Sequence, residues 1–318
     1  MAAPVNRNIF YKYEAMRTKW SRCFEDVNPR ASGTIKTFFN TFHKNHRGFT
    51  FVEGELFDET IYLLVSPDQY NQIKEEIEKK VGDTLPDVSK SRDVTIKDSG
   101  KSFPNLQSFR NYSSTLNKQN KEVEKRRKEE ARKNVVELQR TIRKNPKALI
   151  LSFDLEAYEH DHSIILEIGY AMTTLDNQED VQTFHYIIQE NLSYSNKDYV
   201  PDKREQFKFG KSQHMPLKEA AARLREHIQG AHFLVTHSGA HDTEFLESCG
   251  VSVSGKLMFD TQVLSLALLP DGPKVYGLKK LLEDLKIDFD EDVLHNGGND
   301  AFYTLKVFLS LVAKLDLA

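Results

Sequence analysis

Three features of the 318-residue sequence predict an α/β protein: a mixed sheet flanked by helices, preceded by a smaller α+β domain and a basic helical linker. Strand-like runs alternate with helical periods after residue 147, and the apolar run ALILSFDLE at 148–156 ends in two acids. A charge-rich segment separates this half from a shorter mixed pattern at the start of the chain. The expected divisions are a small domain at 1–84, a linker with a basic helix at 85–146 and the main domain at 147–318.

Composition excludes several classes. A hydrophobic share of 39% is enough to build a core, so the chain is not globally disordered, and a net charge of −3 does not by itself announce a nucleic-acid binder. Cys23 and Cys249 are the only cysteines and lack zinc-ligand spacing, which argues against a disulfide framework and for a reducing compartment. No signal-peptide pattern opens the chain and no apolar run reaches membrane-spanning length, so the expectation is a soluble intracellular protein of cytoplasm, nucleus or both, with no membrane partner.

Along the first half, residues 1–30 mix aromatics and bases and fit either a peripheral helix or an arm. Residues 34–46 have helical apolar spacing; GFTFVEG and ELFDETIYLLVS read as strands, and Ser66-Pro67 opens a helix. Phe38, Phe39, Phe42 and Phe49 fit core better than a base-stacking surface. Residues 85–112 lack periodicity and read as linker. Residues 116–147 hold twelve Lys or Arg against five Glu, a local +7, and read as a mostly solvated helix: a spacer laced by pairs such as Glu124 with Lys128, or an electrostatic track for a phosphate backbone.

The strand at 148–156 carries the chemistry. Residues i and i+2 of a strand point the same way, so Asp154 and Glu156 send two carboxylates into one small volume. Taken alone, that is an acidic loop in water; further acids arriving at the same place make it a seat for a hard divalent cation. SIILEIGYAMTTL and VQTFHYIIQE, parted by the turn at Asp176-Asn177-Gln178, extend the first strand into a three-strand meander. A polar excursion at 191–215 precedes a helix at 216–230. A strand at 232–236 then turns through Ser238 and Gly239 into a helix with Asp242 in its first turn. Asp260 is a candidate N-cap after the next strand, and YGLKKLLEDLKI is an amphipathic helix. The last helix opens at Gly297-Gly298 with Asp300 in its first turn and His295 five residues upstream.

Asp-x-Glu on the first strand, Asp after a later strand and His-x4-Asp at the last helix resemble the DEDDh exonucleases of the ribonuclease H-like superfamily, from Lys147 to the end of the chain. LVTHSGAHDTEFL, FDTQVLSLAL and YGLKKLLEDLKI agree with the intervening elements. YVPDKREQFKFGKSQHMPLKEA and HNGGNDAFYTL resemble the fungal ribonuclease H-like family whose founding member was named as a cofactor of a DEAD-box mRNA-export helicase. The resemblance implies a ribonuclease H-like sheet and a metal-dependent 3′-5′ exonuclease acting on nucleic acid, single-stranded 3′ ends of RNA in preference to DNA. It implies Asp154, Glu156, Asp242 and Asp300 as ligands of two Mg²⁺ or Mn²⁺ ions, and His295 as the general base. The other class of function it implies is a silent RNA-binding adaptor working with an RNA helicase or export partner. His160, His162, His232, His237 and His241 read as loop or core histidines, with His237 shaping the second motif. The chain departs from the family pattern at Ser238, where Asn is usual, at Gly297, where Ala is frequent, and at Ala157-Tyr158-Glu159, where a small residue commonly follows the glutamate.

Overall fold

The computed structural model describes residues 9–315 except 92–93, 199 and 270–274, and the side chains of Ala240 and His241 also lie outside the description. Two compact units emerge, divided between Arg126 and Arg127.

In the first unit, β1 (Phe10–Lys12) leads into α1 (Tyr13–Arg22), so the described part of the opening segment is a strand and a packed helix. α2 (Pro29–Asn45) follows, capped by the Asn28 side chain. β2 (Thr50–Glu55) and β3 (Ile61–Val65) are the two expected strands and pair antiparallel. α3 (Pro67–Val81) starts as its sequence dictates: Ser66 and Gln69 satisfy each other's backbone N–H groups in a capping box, and Gly82 closes the helix in the left-handed conformation. Trp20, Tyr13, Phe39, Phe42 and Phe51 fill the core, so this aromatic stripe is packing.

The segment that reads as linker differs in the structure. β4 (Lys90–Ser91) and β5 (Thr95–Ser102) complete a sheet ordered β4-β1-β3-β2-β5. β5 is an edge strand, TIKDSGKS, polar on both faces and almost wholly exposed, so it carries none of the alternation that betrays a half-buried strand. α4 (Leu106–Lys144) begins inside this unit, where Phe109 and Leu116 join the core. There buried Asn120 accepts from the Ile61 N–H (2.8 Å) and donates to its carbonyl (2.9 Å), standing in for a strand neighbour.

In the second unit the end of α4 buries Leu138 and Ile142, while Arg132, Lys133, Arg140, Arg143 and Lys144 stay in solvent. β6 (Leu149–Tyr158), β7 (Asp161–Thr174) and β8 (Asn177–Ile188) form the predicted antiparallel meander. β9 (Gln213–Met215) pairs parallel to β8, and after α5 (Leu217–Gly230) the strand β10 (Phe233–Thr236) runs parallel to β6. α6 (Ala240–Ser248), β11 (Leu257–Asp260), α7 (Thr261–Leu268), α8 (Leu278–Asp284) and α9 (Gly297–Val312) complete it. The sheet order is β11-β10-β6-β7-β8-β9, a mixed sheet with helices on both faces, as expected. Ile150 packs with α7, α8 and α9 on one face; Leu151, Phe153 and Leu155 pack with α5 and α6 on the other. That alternation puts Asp154 and Glu156 on the α9 side. No helix among the described residues is long and apolar enough to cross a membrane.

Candidate active site

The site gathers where β6 outruns its parallel neighbour. β10 pairs with β6 only as far as Val235 opposite Ser152 and then turns away, which leaves the next β6 N–H groups without a strand on that side. Buried Asp242, in the first turn of α6, fills the gap: its Oδ1 accepts from the Leu155 N–H at 3.0 Å. The turn between β10 and α6 passes through Ser238 at φ 60°, a left-handed conformation in which Asn is the more usual non-glycine residue. Asp260 pins this turn by accepting from the Gly239 N–H (3.0 Å) while capping α7 through Gln262 N–H (2.7 Å), and His237 bonds Thr261 Oγ1 at 2.8 Å. The N-cap expectation for Asp260 and the shaping role of His237 both agree with these contacts.

From the opposite side comes the start of α9. Asn296 caps the helix by accepting from the Asn299 N–H (3.0 Å), and Asp300 Oδ2 accepts from the His295 N–H at the same distance. That bond holds His295 in the left-handed region at φ 67°, a strain on the order of 1 kcal/mol for a residue with a side chain. Ligating atoms of Glu156, His295 and Asp300 all lie within 4.8 Å of one another. Oδ1 of buried Asp300 has no hydrogen-bond partner among the described residues.

Crowding shows in the acidities. Burial, then the charges of Asp242, Asp300, Glu156 and Glu167, push Asp154 well above the usual carboxylate range. Asp300 is pushed up to about 8 by burial and by Glu167 and Asp242, against the His295 N–H. Burial takes Asp242 to about 7, opposed by the Leu155 N–H and helped by Asp260. So many carboxylates in one poorly solvated place cannot all be ionised unless a cation joins them. Oxygen donors, one imidazole and an orphaned buried carboxylate oxygen fit a hard divalent ion. The structure therefore brings all five sequence-predicted residues to one place.

The sequence model of a family described as "DNA polymerase III subunit epsilon-like, C-terminal domain", DEDDh_C, matches residues 149–311, just over half of the chain. The chain belongs to this DEDDh family. The family generally uses divalent metals. Among relatives, "Good for full DBP5 activity protein 2" of Saccharomyces cerevisiae is 27% identical over 203 residues, 51% of this chain and 35% of that protein. "Uncharacterized nucleolar protein C2C4.08" of Schizosaccharomyces pombe is 28% identical over 183 residues, 55% of this chain and 73% of that one. The match thus spans about a third of the first relative's length. The solved structure of Escherichia coli exonuclease I with a dT13 oligonucleotide is 14% identical, with a TM-score of 0.37, covering 53% of this chain and 42% of that one.

Beneath the DEDDh carboxylates lies a layer that sequence reasoning missed. Glu167 stands directly across from Glu156 in the β6–β7 register, an unfavourable like-charge pair that needs compensation. It has it: buried Glu167 Oε2 accepts from His185 Nε2 (2.8 Å), the Gly297 N–H (3.1 Å) and Asn296 Nδ2 (3.2 Å). His185 is tied in turn to Ser212 Oγ at 2.9 Å. Close approach of α9 is permitted by Gly169, opposite Asp154 on β7, where a Cβ would lie 2.0 Å from the Gly297 carbonyl carbon. The signal for Glu167 was present, since a charge inside the apolar run SIILEIGYAM must find partners.

The third departure from the family pattern also finds a use. Buried Glu159 accepts from the backbone N–H groups of Lys197 (2.9 Å), Asp198 (2.8 Å) and Val200 (3.1 Å), anchoring the 191–215 excursion to the end of β6. Its neighbour His160 bonds Asp198 at 3.0 Å, and the Tyr158 ring packs on His160 and Tyr194.

Proposed function

We propose that this chain is a metal-dependent 3′-5′ exonuclease that removes nucleotides from single-stranded nucleic acid, with RNA favoured over DNA. The single observation that supports this most is the convergence of Asp154, Glu156, Asp242 and Asp300 with His295, drawn from β6, α6 and the start of α9, into one acidic place. Asp154, Glu156, Asp242 and Asp300 would hold two Mg²⁺ or Mn²⁺ ions. When bound, such ions neutralise charge developing on the phosphate and lower the pKa of the attacking water.

The chain's own groups supply the rest. Asp242 holds the end of β6 through the Leu155 N–H, so the Asp154 and Glu156 carboxylates keep one direction. His295 takes the proton of the attacking water on a ring nitrogen. Burial and the nearby Lys203 ammonium lower its pKa, which keeps the imidazole neutral and receptive at working pH. The exposed bases of α4 at 132–144 would attract the phosphate backbone of the strand.

The second reading, an adaptor that binds nucleic acid or a helicase partner without turnover, draws on the name of the budding-yeast relative, which refers to DBP5 activity. A nuclear setting would be in keeping with the fission-yeast relative, which is called nucleolar. One assay separates the two. Matched 5′-labelled RNA and DNA oligomers are incubated with Mn²⁺ and with wild type or Asp154→Ala. The nuclease gives a ladder shortening from the 3′ end, and the variant loses on the order of 10²–10³-fold in rate or more. Tight binding without a ladder from either oligomer decides for the adaptor.

A further inference from the structure

Beside the acidic place opens a cavity of about 490 Å³, whose lining includes Lys203, Lys279, Glu291, Asp292, His295 and Asp300. The charges on its wall are not equivalent. Lys279 is paired with Glu291 at 2.5 Å. Asp292 lies in the field of the Lys208 ammonium, which Asp290 holds. Lys203, half-buried, has no ion-pair partner among the described residues, yet its charge is close enough to His295 to be felt by the imidazole.

Where Lys203 stands is fixed by the fold. Its carbonyl accepts from Asn296 Nδ2 (3.1 Å) and from the Gln206 N–H (2.8 Å). On one side, buried Arg204 is locked by Asp202 through Nε (2.9 Å) and Nη2 (2.8 Å), and by the Tyr194 carbonyl. On the other, Asn299 donates to the Gln206 carbonyl and accepts from the Lys208 N–H, both at 2.9 Å. The 191–215 excursion is therefore a strap fastened to the same two asparagines, 296 and 299, that start α9 and place Asp300. A lysine held on so fixed a backbone, lining a cavity that reaches Asp300, has the position of a ligand for phosphate.

We propose that Lys203 is a substrate-binding residue: in this cavity its ammonium takes a backbone phosphate of the single strand whose 3′ end enters the DEDDh site. This rests on the exonuclease reading above. The rival role for Lys203 is to offset the acidic cluster, and the two differ in what salt does. A contact to a phosphate releases counterions, so each one lost lowers the slope of log affinity against log salt by roughly 0.7 on a single strand.

The test uses the full chain carrying Asp154→Ala, so that the probe survives, and a fluorescein-labelled 12-nucleotide single-stranded RNA read by anisotropy from 50 to 400 mM KCl. Adding Lys203→Met should weaken binding about tenfold at the low-salt end and reduce the salt slope by roughly 0.7, with Lys203→Arg restoring both. In the active chain Lys203→Met should raise KM, the sign of lost substrate binding, and Lys203→Arg should restore it. An unchanged slope and an unchanged KM, in a chain that degrades RNA, overturn the assignment and leave the nuclease reading standing. If wild type produces no ladder while Lys203→Met still flattens the slope, the nuclease reading fails and the phosphate contact survives.

Discussion

Asp300 concentrates the conflict built into this site. Its Oδ2 is satisfied by the His295 N–H, its Oδ1 is buried with no partner among the described residues, and Glu167 and Asp242 add like charge. Without a cation such a group costs stability, because a carboxylate has been taken out of water with incomplete compensation. Asp300→Asn keeps an acceptor for His295 and removes the charge. In metal-free buffer the variant should melt about 2–4 °C higher by circular dichroism at 222 nm, the shift that about 1 kcal/mol produces in a domain of this size. Wild type should gain about 2.7 kcal/mol from Mn²⁺ at a hundred times its dissociation constant, and the variant should gain far less. A lower metal-free melting point for Asp300→Asn would mean that the buried carboxylate is stabilising, contrary to this argument.

Among the elements, α9 and β7 decide whether the site is assembled. The start of α9 lies on Gly169, and its first N–H is received by Glu167, which is also hydrogen-bonded to His185. A methyl group at Gly169 would meet backbone atoms of Gly297 and Gly298 at 2.0–2.3 Å, and backbone cannot swing aside as a side chain can. Gly169→Ala should cost about 1–3 kcal/mol in urea titration. It should also lower nuclease rate in the fraction that stays folded, because α9 carries Asp300, whose carboxylate holds the His295 N–H. Wild-type stability together with wild-type rate would show that the close contact is dispensable.

At the scale of the molecule, the two units can be followed separately because the chain has a single tryptophan, Trp20, in the core of the first. That core also encloses His43, which is 4% exposed and has no partner for its Nε2 among the described residues. Burial, with the charges of Arg17 and His46, lowers its pKa to about 4. The folded unit thus keeps the ring neutral, while the unfolded chain takes a proton near pH 6.5. Stability from this residue is complete above about pH 6.5 and drains away as pH falls towards 4, for a total of roughly 3 kcal/mol. Urea titrations followed by Trp20 emission at pH 7 and pH 4.5 should show this loss, and His43→Leu should remove much of it. Equal pH dependence in both chains would assign the acid sensitivity elsewhere.

Much of the site can be read from the chain because the rules that write it are local. Alternation along β6 puts Asp154 and Glu156 on one side, and helix-start chemistry puts Asp242 and Asp300 in first turns, each a matter of two to four neighbouring residues. The same holds for Ser66-Pro67 and for the cap at Asp260. Local rules are silent about β5, whose polar faces hide its pairing, and about which partner Glu167 finds 129 residues away in Asn296. Nor could they show that the polar stretch after β8 is a strap tied to α9, or that Lys203 faces the cavity beside His295. Those facts depend on sheet register and on the closure of long loops, and only the assembled fold brings such distant groups within hydrogen-bonding range.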